Sequence, residues 1–110
     1  MNLQRILVPV KNLTIPAVRA IRFAQLFADT HKSSVTYLHI CDPKTSKEQI
    51  QEFEQEIKQV LEQGELEIRY RIKTIPHDKT GEVIIRAARS FDLVVRAIVA
   101  SSHGRRLNRE

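Results

Sequence analysis

Strand-like and helix-like segments alternate along this sequence, and this alternation constrains the fold more than any other feature. Residues 5–10, RILVPV, form an apolar run that is typical of a central parallel strand covered on both faces. Residues 34–40, SVTYLHI, are β-branched and aromatic and predict a second strand. Residues 65–75, ELEIRYRIKTI, alternate between apolar and charged side chains, which predicts a half-exposed edge strand. Residues 92–95, DLVV, predict the start of a fourth strand.

Three stretches with helical periodicity separate these strands. Their apolar stripes are Ala17, Ala20, Ile21, Ala24, Phe27 and Ala28 in the first, Ile50, Phe53, Ile57, Val60 and Leu61 in the second, and Ile84, Ala87, Ala88 and Phe91 in the third. Residues at this spacing lie on one face of a helix, so each helix is expected to cover a face of the sheet.

Hydroxyl side chains precede each helix and can accept hydrogen bonds from its first turn. The candidate N-caps are Thr14 for the first helix, Thr45 with Glu48 or Ser46 with Gln49 for the second, and Thr80 for the third. Gly64 follows the second helix and is predicted to end it at the C′ position.

The order β-α-β-α-β-α-β predicts an α/β fold, an open doubly wound and mainly parallel sheet with helices on both faces. At 110 residues, with no linker and no internal repeat, the chain forms one domain. We assign residues 1–95 to the α/β domain and residues 96–110 to a strand extension with a basic tail.

The net charge of +5 is concentrated at one end of the chain. Residues 96–110 carry four arginines and one glutamate, so the remainder of the chain is nearly balanced. Weak nucleic-acid binding through Arg105, Arg106 and Arg109 is one hypothesis, but the tail has no aromatic residue to stack on bases, and we expect no specific nucleic-acid partner. The single cysteine, Cys41, permits no internal disulfide and favours a reducing, cytoplasmic location.

The sequence offers little that resembles catalytic chemistry. The four histidines lack metal-ligand spacing, and no Gly-x-Ser-x-Gly motif is present, so we expect neither an enzyme nor a metal site. Cys41 is interpreted as an apolar residue at a strand end and His39 as a core or rim histidine. His77 and Asp78 are expected to form a turn before the third helix.

The segments RILVPV, VTYLHI and EVIIRAARSFDLVV, in this order and spacing, resemble the universal stress protein family over roughly residues 4–95. Some members of that family are single domains, and others are soluble tails of membrane transporters. The resemblance implies a regulatory domain of the stress response, with a membrane transporter as a possible parent protein. Compared with the family pattern, the sequence is expected to lack the family's last strand and last helix.

The nucleotide-binding members of the family have an acidic residue after the first strand and a glycine-rich loop after the fourth. Glycines in such a loop let backbone N–H groups approach phosphates. Here Lys11 occupies the acidic position, and Ser101 and Gly104 reach the two loop positions only if four residues are inserted. If ATP or AMP binds, the resemblance places Pro9, Val10 and Lys11 near the base and Ser101, Gly104 and Arg105 near the phosphates.

In the family the fourth strand lies between the first and the fifth. Without a fifth strand, residues 92–100 would present an open apolar edge that can pair with another chain. We therefore predict a homodimer. Its predicted edge consists of Val94, Val95, Ala97, Ile98 and Val99.

The function predicted first is a non-catalytic regulatory or interaction module that self-associates and needs no cofactor. The main alternative is an adenine-nucleotide-binding domain in which Lys11 pairs with a phosphate.

Overall fold

The computed structural model describes residues 4–97. Their elements are, in order, β1 (Arg5–Val10), α1 (Ile15–His31), β2 (Ser34–Cys41), α2 (Lys47–Gln63), β3 (Arg69–Pro76), α3 (Thr80–Ala88) and β4 (Leu93–Val94). The predicted alternation of strands and helices is confirmed.

The four strands form one parallel sheet with the order β3-β2-β1-β4. β1 and β2 lie between neighbours, which explains why both strands are apolar along almost their whole length. β3 lies at the edge, as its alternating pattern predicted. The chain passes from β3 back across the sheet to β4, so the order of the strands reverses beside β1.

The helices cover both faces of the sheet, which confirms the doubly wound architecture. α1 and α2 bury one face in a first core, to which β1 contributes Ile6, Val8 and Val10. The alanine-rich stripe of α1 lies in this core, because small side chains let the helix approach the sheet closely. α3 covers the other face in a smaller second core, where Ile84 packs with Leu7 of β1.

Two of the predicted helix caps are confirmed. The Thr14 hydroxyl accepts a hydrogen bond from the Ala17 N–H at 3.2 Å, and Ser46 forms a reciprocal capping box with Gln49. The prediction for Thr80 was wrong. Thr80 is the first residue of α3, Lys79 is the N-cap, and no side chain of the cap accepts a hydrogen bond.

Gly64 ends α2 for a reason other than the predicted one. Its backbone is right-handed, with φ −74°, and Glu65 adopts the positive φ of 56°. A Cβ atom on Gly64 would collide with Oε1 of Gln25 and lie 2.7 Å from Nη1 of Arg22. Glycine therefore fits here because polar side chains of α1 approach the end of α2 and would have to move to admit a Cβ atom.

Two strands are shorter than predicted. β3 begins at Arg69 rather than at residue 65, because the positive φ of Glu65 interrupts the extended backbone. β4 contains two residues, although hydrogen bonds to β1 from the N–H groups of Asp92 and Val95 extend the contact. The boundary between residues 95 and 96 stays a prediction, and the predicted lack of the last strand and helix concerns a region outside the described residues.

Candidate functional site

The carboxyl ends of β1 and β4 meet where the strand order reverses. The connections that leave β1 and enter β4 run on opposite faces of the sheet, since α1 lies on one face and α3 on the other. In open α/β sheets this arrangement opens a crevice beyond the strand ends, where ligands bind. The fold therefore indicates one place for a site before any side chain is considered.

A cleft of about 280 Å³ occupies this place, and we call it the switch-point cleft. Its apolar lining consists of Pro9, Val10, Ala17, Ile40, Ile84 and Ala97, and its polar lining of Lys11, Asn12, Thr14, Thr80 and Arg96. The charged residues that the described part of the chain contributes to this lining, Lys11 and Arg96, are both cations. The first turns of two helices, α1 and α3, contribute to the same walls, and helix N-termini carry partial positive charge. The electrostatics of the cleft favour an anion.

Three of the six residues predicted for a nucleotide site lie here. Pro9, Val10 and Lys11 line the cleft where β1 ends, although their role in binding stays a prediction. Ser101, Gly104 and Arg105 lie outside the described residues, and so do all the tail arginines of the nucleic-acid hypothesis.

Most of the remaining lining residues of the switch-point cleft were not predicted from the sequence as site residues. Thr14 and Thr80 were considered only as helix caps, and Arg96 was assigned to the strand extension. A signal was available, because the carboxyl ends of parallel strands lie at one edge of a sheet. Residues that follow β1 and β4 could therefore have been expected to meet, and Arg96 could have been assigned to the same cleft as Lys11.

Of the residues predicted for a dimer edge, Val94 lies in β4, the terminal strand of the sheet in the described part of the chain, and Val95 and Ala97 follow it. Val94 packs in the second core, and Val95 and Ala97 pack in the first, so all three are half-buried. Ala97 also lines the switch-point cleft. Ile98 and Val99 lie outside the described residues, and the dimer itself stays a prediction.

His39 is a core histidine, as predicted. It is 5% exposed, and its ring stacks on Phe53 of α2 with the centroids 3.9 Å apart. Burial lowers the pKa of His39, and the nearby Glu54 opposes this effect in part. Burial also raises the pKa of Tyr37 above its ordinary value, with a smaller contribution from Tyr70. Neither residue lines the switch-point cleft.

The remaining candidates for chemistry have structural roles. Nδ1 of His77 accepts a hydrogen bond from the Lys79 N–H at 2.8 Å and lies 3.6 Å from the Asp78 carboxylate, which confirms the predicted turn. Cys41 is buried at the end of β2, as predicted. Within residues 4–97 no group of three or more histidine, cysteine, aspartate or glutamate side chains could hold a metal ion.

Comparison with known proteins extends the resemblance found in the sequence. The model of the universal stress protein family matches residues 2–109. The chain belongs to this family. This universal stress protein domain is also 40% identical over 94 residues to the Na⁺/H⁺ antiporter NhaS5 of Synechocystis sp., a match that covers 86% of this chain. The chain spans only 14% of the length of that antiporter.

Solved structures show the same fold at low sequence identity. A universal stress protein in complex with cAMP has a TM-score of 0.74 at 15% identity, covering 97% of this chain and 84% of that one. The universal stress protein of Archaeoglobus fulgidus in complex with dAMP has a TM-score of 0.62 at 19% identity, covering 87% of this chain and 82% of that one. Among the described helices of the domain, none has the length and apolar character needed to cross a membrane.

Proposed function

We propose that this universal stress protein domain is a non-catalytic regulatory module of a cation transporter and that it works in the cytoplasm. The observation that carries the proposal is the 40% identity, over 94 residues, to a segment of a Na⁺/H⁺ antiporter. A small α/β domain of this kind can change the activity of a transporter only by binding a ligand or another protein, because ion translocation itself requires membrane-spanning segments.

The lining of the switch-point cleft supports a binding role over a catalytic one. Among the described residues, its lining includes no aspartate, glutamate, histidine or cysteine, which are common general bases and nucleophiles. Lys11 and Arg96 can neutralise an anion, but neither has a carboxylate or imidazole partner in this lining to accept a proton. A ligand held here would be bound and released unchanged.

An adenine nucleotide is the ligand that we propose for this cleft. Val10 and Ile40 offer apolar contacts for a base, and Lys11 and Arg96 offer charges for phosphates. Two relatives of the same fold were solved with cAMP and dAMP, which supports an adenine nucleotide as the ligand class. Because Lys11 replaces the acidic residue of the family pattern, we propose that it pairs with a phosphate rather than with ribose.

Self-association is the third part of the proposal. β4 pairs with β1 alone among the described strands, and its other edge is open to a strand from a second copy. Two copies joined in this way would extend the sheet through a two-fold axis, with Val94 and Val95 beside the interface. The switch-point clefts would then lie near the junction, since Ala97 follows the same strand.

Titration calorimetry of the full chain with ATP, AMP and adenosine tests the proposal. We expect ATP to bind more tightly than AMP and adenosine to bind weakly, because the cations act on phosphates. Lys11→Gln and Arg96→Gln are each expected to weaken ATP binding by roughly tenfold. Arg19→Gln removes the same charge from the exposed surface of α1 and is expected to leave binding unchanged.

Phosphate release in the same samples tests the non-catalytic role. We expect ATP to remain intact over many times the lifetime of the complex. Turnover of ATP would contradict the non-catalytic proposal, and ATP binding that is insensitive to both Lys11→Gln and Arg96→Gln would contradict the assignment of the cleft.

A further inference from the structure

The opposite end of the sheet carries a second cleft, lined by three arginines. Strand register places Arg5 of β1, Ser34 of β2 and Arg69 of β3 in one row across the sheet. The next row on the same face contains Leu7, Thr36 and Arg71. Neighbouring strands are about 4.8 Å apart, so the backbones of Arg5 and Arg69 are about 10 Å apart, with the short Ser34 side chain between them.

This part of the sheet is open because α3, the helix of the second core, does not extend over it. α3 has nine residues and packs in the second core with Leu7, Leu38, Ile40 and Ile75, the last three of which lie in the carboxyl-terminal halves of β2 and β3. The amino-terminal ends of β2 and β3 therefore lie beyond its cover. The resulting cleft of about 320 Å³ is lined by Arg5, Ser34, Val35, Thr36, Arg69, Tyr70 and Arg71, and we call it the arginine cleft.

The charges of the arginine cleft are not neutralised within the described part of the chain. There, no carboxylate lies within 4.0 Å of any of its three guanidinium groups, since the ion pairs found involve only His77, Asp78, Lys79 and Glu82. Asp92, beside the start of β1, uses its carboxylate to accept hydrogen bonds from the N–H groups of Gln4 and Arg5.

Two of the arginines are positioned by contacts that leave most of their donors available. The Arg5 guanidinium lies 4.8 Å from the centre of the Phe91 ring, and Nη2 of Arg69 donates to the Lys32 carbonyl at 3.5 Å. Arg71 makes no hydrogen bond to the described residues. Thr36 forms the floor, is 7% exposed, and its hydroxyl likewise has no hydrogen-bond partner in that part of the chain.

We propose that the arginine cleft binds an anion that carries two or more phosphate groups. Guanidinium groups bind phosphate oxygens in a bidentate manner. Three guanidinium groups around the floor of one cleft carry more positive charge than a single phosphate group neutralises. The Thr36 hydroxyl supplies a further donor at the floor. This site is separate from the proposed nucleotide site, because the two clefts lie at opposite ends of the strands.

Free oligophosphates and phosphorylated lipid headgroups share this chemistry, and two binding assays distinguish them. Calorimetry of the full chain with tripolyphosphate measures the free anion. Co-sedimentation with phosphatidylcholine vesicles, with and without cardiolipin, measures a lipid that carries two phosphates. We expect Arg71→Gln to weaken whichever interaction is found by about tenfold or more, and Arg71→Lys to weaken it less, because lysine keeps the charge but loses the planar fork.

Matched controls separate this site from the rest of the surface. Arg19→Gln makes the same change on α1 and is expected to have no effect, and Arg69→Gln is a second variant should Arg71→Gln alter folding. Both variants are measured with ATP and with tripolyphosphate, since both anions carry several phosphates. Binding lost in Lys11→Gln is assigned to the switch-point cleft and binding lost in Arg71→Gln to the arginine cleft, so the two sites can fail independently. Failure of both probes to bind, or equal affinities for Arg71→Gln and Arg19→Gln, would overturn the proposal.

Discussion

Replacing Gly64 with alanine tests how tightly α1 and α2 are joined. The backbone of Gly64 is in the right-handed region, where alanine is tolerated, so conformational entropy alone predicts a gain in stability of about 0.4–1 kcal/mol. The structure instead predicts that the substitution lowers the stability. The new Cβ would collide with the side-chain amide of Gln25, a residue that is 1% exposed and whose amide donates to the Leu61 carbonyl at 2.9 Å.

The size of the destabilisation follows from the two side chains that must move, Gln25 and Arg22. Displacing the Gln25 amide leaves buried polar groups unpaired, which costs roughly 1–3 kcal/mol. Overpacking against the half-buried Arg22, whose guanidinium donates to the Val60 carbonyl, costs a similar amount of about 1–3 kcal/mol. After the entropic gain is subtracted, we expect Gly64→Ala to lower the free energy of unfolding by about 1–5 kcal/mol. A loss of 2 kcal/mol would lower Tm by roughly 10 °C.

Urea denaturation of the wild type and of two matched variants measures this effect. Gly81 lies inside α3, and a Cβ there would have no neighbour within 4 Å, so Gly81→Ala is expected to stabilise the protein by about 0.5–1 kcal/mol. In the background of Gln25→Ala, the Gly64→Ala change is expected to cost less, because the colliding amide is absent and only the contact with Arg22 remains. Equal or greater stability of Gly64→Ala relative to the wild type would refute the reasoning.

Three further predictions concern a helix cap, a titrating core residue and the sheet edge. Ser46→Ala is expected to lower the free energy of unfolding by about 1 kcal/mol in urea denaturation, because the capping box is lost, whereas Thr45→Ala is expected to have little effect. The lowered pKa of His39 favours the neutral ring in the folded state, so stability is expected to fall as the pH decreases below about 6.5, and His39→Phe is expected to remove this dependence in unfolding curves measured between acidic and neutral pH. Sedimentation velocity over a range of concentrations is expected to show a dimer formed through the β4 edge, and a monomer at every concentration would contradict this prediction.

The architecture was predictable because the signals that define it are local. The period of the apolar residues distinguished strands from helices, and the continuous run in β1 against the alternation in β3 distinguished a central strand from an edge. The capping box was also visible, although the sequence offered two overlapping candidates. Which of the two capping boxes forms depends on the residue at which α2 begins, and the packing of α2 against the sheet determines that residue.

The requirement at Gly64 could not be predicted in the same way. The sequence shows a glycine after a helix, and the commonest reason for such a glycine is a positive φ. In the structure the reason lies in Gln25 and Arg22, which are far away in the sequence and reach Gly64 only after α1 and α2 have packed on the same face of the sheet. Long-range contacts of polar side chains have no periodic signal in the sequence.

The two clefts show how register converts a nearly balanced sequence into separated regions of positive charge. In ELEIRYRIKTI the charged residues read only as the solvent side of an edge strand, and Arg5 reads only as the residue before an apolar run. Pairing with β2 places Arg5 and Arg69 in one row, while the short α3 leaves that row open. At the other end, the reversal of strand order brings Lys11 and Arg96 to one cleft. A shift of β3 by one residue would transfer Arg69 and Arg71 to the face covered by α1 and α2 and would remove Ile72 from the first core, so the apolar pattern that selects the register also creates the arginine cleft.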